Sequence, residues 1–73
     1  METYFWTRHA SNKLHYMGLS QSQMELALSY GTRIDEGKNK FKIVCRVKKA
    51  LLIAVCREDE RGVWVVTVIR KQG

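Results

Sequence analysis

Apolar residues recur along the chain with two different periods, and the change of period divides it. Up to Gly31 they fall three and four apart, and from Thr32 onward they alternate or run together. Ala10, Leu14 and Met17 stand at i, i+4 and i+7, the spacing of one buried helical stripe. Thr7 is a suitable N-cap and Gly18 a suitable residue just past a helix end, so a first helix is predicted between them. His9, Lys13 and Tyr16 repeat the same spacing one position earlier and form a polar row bordering that stripe. His15 points away from it.

The second helix has the clearest local signal. Ser20-Gln21-Ser22-Gln23 has the form of a capping box, and Leu19 with Met24 can form the hydrophobic staple around it. Met24, Ala27 and Leu28 give the buried stripe, and Gly31 ends it. A link of about two residues makes the two helices a tight αα-hairpin.

Strands follow. Thr32 to Asp35 is a short one, and Glu36 to Lys40 a turn. From Phe41 to Val47 the chain alternates, with Phe41, Ile43, Cys45 and Val47 inward and Lys42, Arg46 and Lys48 outward. Leu51 to Arg57 is nearly all apolar, which suits a strand buried on both faces. Glu58 to Gly62 is a charged turn. Val63 to Ile69 is rich in β-branched and aromatic residues and reads as a central strand. The expected fold is a single α+β domain over residues 1–73: an αα-hairpin, then a three- to four-stranded antiparallel meander with the helices on one face.

Length and composition narrow the picture. A chain of 73 residues buries only about 60% of its unfolded surface, so its core is modest. The two cysteines, Cys45 and Cys56, sit inside apolar runs and read as small buried hydrophobes. No disulfide framework or zinc spacing is visible, so a reducing cytoplasm is the expected compartment and neither metal nor cofactor is expected. The first residues lack the pattern of a signal peptide, and the longest apolar run, Ala50 to Cys56, is too short to span a bilayer. No membrane association is expected.

Charge changes the picture more. The net charge of +6 draws polyanions, of which nucleic acid is the commonest in a cytoplasm. There is no phosphate-binding glycine loop, dinucleotide fingerprint or metal-ligand spacing. The acidic residues lie mostly in turns and suggest no two-metal site. RNA can nevertheless be cleaved without a metal. Its 2′-hydroxyl is the nucleophile, so a protein need supply a base, an acid and positive charge. Histidine titrates in the right range, and Arg and Lys hold phosphate. Candidates for these roles are His9, Lys13 and Tyr16 on the first helix, Arg46 on a strand, Arg57 at a strand end, and Thr67, Arg70 and Lys71 near the end of the last strand. They converge only if the first helix packs beside the end of that strand. Lys42, Lys48 and Lys49 read as solvated charges or nonspecific phosphate contacts. Trp64 is either core or an anchor for a partner.

His9-Ala10, the basic Lys13, Gly18-Leu19-Ser20 leading into a second helix, and Val66-Thr67-Val68-Ile69-Arg70 closing a sheet resemble the domain of unknown function 4258 family, over roughly Thr7 to Lys71. The layout is also similar to the small bacterial toxins of the RelE, ParE and BrnT kinds, within the barnase–EndoU–colicin–RelE group of ribonuclease folds. The resemblance implies a toxin-like, metal-independent endoribonuclease acting on RNA, ribosome-associated or not. It implies an acidic antitoxin or another acidic protein as partner. Carried over by position, it makes His9, Lys13, Arg46, Thr67 and Arg70 the catalytic candidates. Arg8, Tyr16, Lys42, Lys48, Arg57 and Lys71 remain as RNA-binding candidates. Lys13 and Met17 stand where the family usually has arginine. The same charge and fold also suit a non-catalytic module that binds nucleic acid or blocks an acidic partner protein. An open strand edge would let two copies pair as a homodimer.

Overall fold

The computed structural model describes residues 3–71. Its elements run β1 (Tyr4–Trp6), α1 (Arg8–Met17), α2 (Gln21–Tyr30), β2 (Thr32–Gly37), β3 (Lys40–Val47), β4 (Ala50–Asp59) and β5 (Gly62–Lys71). The strands form one sheet in the order β1-β5-β4-β3-β2.

Both helices begin as the sequence predicts. The Thr7 hydroxyl accepts from the Ala10 amide at 3.1 Å and donates to the Val66 carbonyl at 2.9 Å. One side chain thus caps α1 and ties its start to β5. Gly18 closes α1 in the left-handed region at φ 71, where a residue without Cβ is least strained. The Ser20 hydroxyl accepts from the Gln23 amide at 3.1 Å, and the Gln23 side chain accepts from the Ser20 amide at 3.0 Å. That completes the capping box, which satisfies two of the amides a helix start leaves without partners.

The sheet differs from the expected meander in three ways. It has five strands, and it is mixed, because β1 pairs with β5 in parallel while the other three pairings are antiparallel. Only three residues long, β1 has too few positions to display a period of two. Second, the helices pack chiefly on strands, α1 on β5 and α2 on β3, more than on each other. Third, β4 is not buried on both faces. Leu52, Ala54 and Cys56 are buried, while Leu51, Ile53 and Val55 between them are only half-buried.

The core lies between the helices and one face of the sheet. Ala10 and Leu14 from α1 and Met24 and Leu28 from α2 meet Phe41, Ile43, Leu52, Ala54, Val65 and Val68. Both cysteines are buried within it and neither is in a disulfide. Tyr4 and Trp6 of β1 also pack against the core, and the Trp6 indole N–H donates to Glu25 of α2 at 2.8 Å. Among the described residues no helix is long and apolar enough to cross a membrane.

Candidate nucleic-acid interface

Cross-strand register sorts the side chains of the sheet into two faces, because directly paired residues point the same way. On the face away from the helices the register makes four rows. The first joins Arg46, Leu51 and Lys71, and the second joins Thr32, Val44, Ile53 and Ile69. The third joins Ile34, Lys42, Val55 and Thr67, and the fourth joins Lys40, Arg57, Trp64 and Phe5. A bulge at Val55/Cys56 against β5 places Val66 between the last two rows. Cations therefore stand at both ends of this open face, with a band of Val and Ile between them.

Glu36 and Asp59 beside this face, and Asp35 and Glu58 near its edge, are already engaged. Glu36 accepts from Lys42 at 2.9 Å. Asp59 Oδ1 accepts from the Arg61 amide at 2.9 Å and the Gly62 amide at 3.3 Å, while its Oδ2 accepts from the Trp64 indole N–H at 3.1 Å. The Arg61 amide bond first, then the Trp64 and Gly62 bonds, hold the Asp59 carboxyl below its ordinary range. Arg33 lies over the Phe41 ring on the helix side, 3.8 Å from its centroid, and pairs with Asp35 at 3.0 Å and Glu58 at 3.7 Å. Its guanidinium is held above its ordinary value, chiefly by the Asp35 bond. Arg46, Arg57 and Lys71 make no ion pair among the described residues.

The candidate residues are divided by the sheet. Arg46 and Thr67 share the open face, with Lys42, Arg57 and Lys71. His9 and Lys13 stand in the helix layer, His9 exposed in the first turn of α1. Arg70 pairs in register with the buried Leu52 and so lies on the helix face. It shares a small cavity of about 90 Å³ with Met17, Leu19 and Val47 at the far end of α1. From His9 to Met17 the helix rises about 12 Å, so His9 and Arg70 sit near opposite ends of it. The contact of α1 with β5 that convergence required is present, yet the five residues do not form one cluster. Arg8 and Tyr16 are exposed on α1, and Lys48 lies in the tight turn between β3 and β4. Among the described residues no three His, Cys, Asp or Glu side chains converge as a metal site.

From sequence Trp64 reads as core or as a partner anchor, and is not joined to Phe5. Phe5 and Trp64 stack at one end of the open face with centroids 5.0 Å apart and planes at 27°. Alternation places Trp64 opposite the buried Val63 and Val65, but the contact with Phe5 depends on β1, which the pattern does not disclose. The model of the family described as Domain of unknown function (DUF4258) matches residues 6–70. The chain belongs to that family. The match takes in both helices and all of β2 to β4, so the open face lies almost wholly within the family's domain. No curated protein and no solved structure matches the chain.

Proposed function

We propose that this member of the family is a basic module that binds RNA through the open face of its sheet. One observation carries the reading: the cations of that face stand in register around apolar residues, and Glu36, Glu58 and Asp59 beside them are already bound. Arg46 and Lys71 flank Leu51 two strands apart, about 10 Å, and Arg57 stands in the fourth row. Cations that neutralise phosphates release condensed counterions, so binding should weaken steeply with salt. The half-buried Val and Ile positions leave apolar surface for the bases.

The sharper reading is a toxin-like endoribonuclease of the RelE, ParE and BrnT kind, cleaving by 2′-hydroxyl attack without a metal. It is favoured by Thr67, whose row lies between the cations at the two ends of the open face, and by the exposed imidazole of His9. An acidic antitoxin would cover the same cations.

The test is RNA incubated with the protein in EDTA, with and without ribosomes, beside titrations at several salt concentrations. Arg46→Ala and Lys71→Ala should each weaken binding uniformly across sequences and lower the salt slope by about one. Cleavage lost in Arg46→Ala and Thr67→Ala supports the endoribonuclease, and its loss in His9→Ala would bring the helix layer into the site. Salt-dependent binding without cleavage leaves the binding module. Indifference to RNA at low salt overturns both readings.

A further inference from the structure

The open face does more than offer charge. At its aromatic end a cavity of about 500 Å³ is lined by Thr7, Lys38, Asn39, Arg57, Trp64 and Val66, with Glu58 and Asp59 at its wall. Phe5 stacks on the Trp64 indole, and the indole itself lines the cavity. Asp59 fixes the ring through the indole N–H and is itself fixed by two backbone amides of the β4–β5 turn. The ring is therefore held in place before any ligand arrives. Glu58 is turned to Arg33, while Lys38 and Arg57 make no ion pair among the described residues. An aromatic plane backed by a second ring, two free cations beside it and an amide side chain at Asn39 are the parts that take an unpaired base with its phosphate.

We infer that Trp64 is a stacking platform for an unpaired nucleobase, and that the substrate class of the open face is single-stranded RNA. The inference rests on the RNA-binding reading and narrows it. From Leu51 to Arg57 the face runs about 20 Å along β4, so one strand can reach from the Arg46 and Lys71 end to the Trp64 end. In duplex RNA the bases are stacked on one another and none is free to enter the cavity.

The wild-type protein carries its own control. Trp6 lies on the helix face with its indole N–H on Glu25, so the two indole N–H signals report the two faces separately by NMR. A single-stranded RNA of about ten nucleotides should move the Trp64 signal and leave that of Trp6 in place. The same strand in a duplex should move neither. Trp64→Ala should weaken single-strand binding about tenfold with duplex binding unchanged, and Trp64→Phe should restore most of the loss. A Trp64 signal that stays still at saturating single-stranded RNA overturns the stacking site. So does an unchanged affinity in Trp64→Phe and Trp64→Ala while Arg46→Glu still loses binding, an outcome that leaves the basic face standing. If neither RNA form binds, the broader reading falls as well.

Discussion

Strands β3, β4 and β5 each show one face to the helices and one to solvent, and the two faces are built from different residues. Toward the helices stand Phe41, Ile43, Cys45, Leu52, Ala54, Cys56, Val65 and Val68, all buried. Away from them, β3 carries Lys40, Lys42 and Arg46, β4 carries Arg57 toward its end and β5 carries Lys71, with branched residues between. The helix face also holds the small residues. Ala54 sits at the middle of the central strand with no exposure, and its paired neighbours are Ile43 and Val68. A small side chain there lets the helix layer close on the sheet at interior density. The same strand bears the larger Ile53 and Val55 on its other side, where nothing has to fit above them. Alternation is thus shared by both faces, and the size of the residues together with the position of the charges decides which of them is interior.

The largest effect should come from removing Phe41. It is almost wholly buried and also carries Arg33 over its ring. Phe41→Ala should cost about 3–5 kcal/mol, a large part of what holds a small domain together. Ile53→Ala, on the open face, should cost about 1 kcal/mol. Urea unfolding of the two variants measures the contrast. A loss at Ile53 as large as that at Phe41 would mean that the open face is covered in solution, and the comparison of faces would break.

Next in size is Gly31, where α2 turns into β2. Its φ of −80 is ordinary, so its need is for space. A Cβ there would lie 2.5 Å from Ile43 Cγ2 and 2.8 Å from the Val44 carbonyl oxygen. Gly31→Ala should cost about 1–3 kcal/mol. Coupling to Ile43→Ala in a double-mutant cycle would locate the cost in that clash, and strict additivity would place it elsewhere.

These two positions show what the sequence discloses and what it hides. Long elements with a sustained period were legible: α1, the capping box of α2, and the inward set Phe41, Ile43 and Cys45 all follow from spacing. The parallel β1 was not, because three residues carry no period and their partner lies at the other end of the chain. The near-continuous apolar run of β4 suggested burial on both sides, since composition cannot tell a second helix layer from none. The candidate site was legible as a residue inventory and not as a place. Arg46 and Thr67 share a face through the register of three strands, whereas His9 falls on the other side of the sheet, and neither relation is written in local spacing.

A smaller effect should come from the β3–β4 turn, where Lys48 and Lys49 have φ of 50 and 69. Two consecutive left-handed residues make the tightest hairpin turn, and Asn-Gly fits it best. Each non-glycine residue there costs about 1–2 kcal/mol. Replacing the pair by Asn-Gly should therefore raise stability by about 1 kcal/mol, or about 4–8 °C in melting temperature. The lysines adjoin the row of Arg46 and Lys71, so the same variant should bind RNA more weakly. A rise in stability with no loss of affinity would confine the interface to the flat of the sheet.

The smallest effect is a dependence on pH at the aromatic end. Asp59 is exposed and accepts from Arg61, Gly62 and the Trp64 indole, and these bonds hold its carboxyl below the ordinary range. A group depressed by folding contributes its full stability above its unfolded value and loses it as pH falls through its folded one. Because the carboxylate faces water, the change in global stability should be slight. The Trp64 indole N–H signal should nonetheless shift as acid protonates Asp59, below the pH at which ordinary carboxylates titrate. Asp59→Asn keeps an oxygen for the two amides but has no charge to lose, so its Trp64 signal should be flat over the same range. If the wild-type Trp64 signal is also flat there, the ring is held by Phe5 alone and the open face is less fixed at this end than the bonds to Asp59 imply.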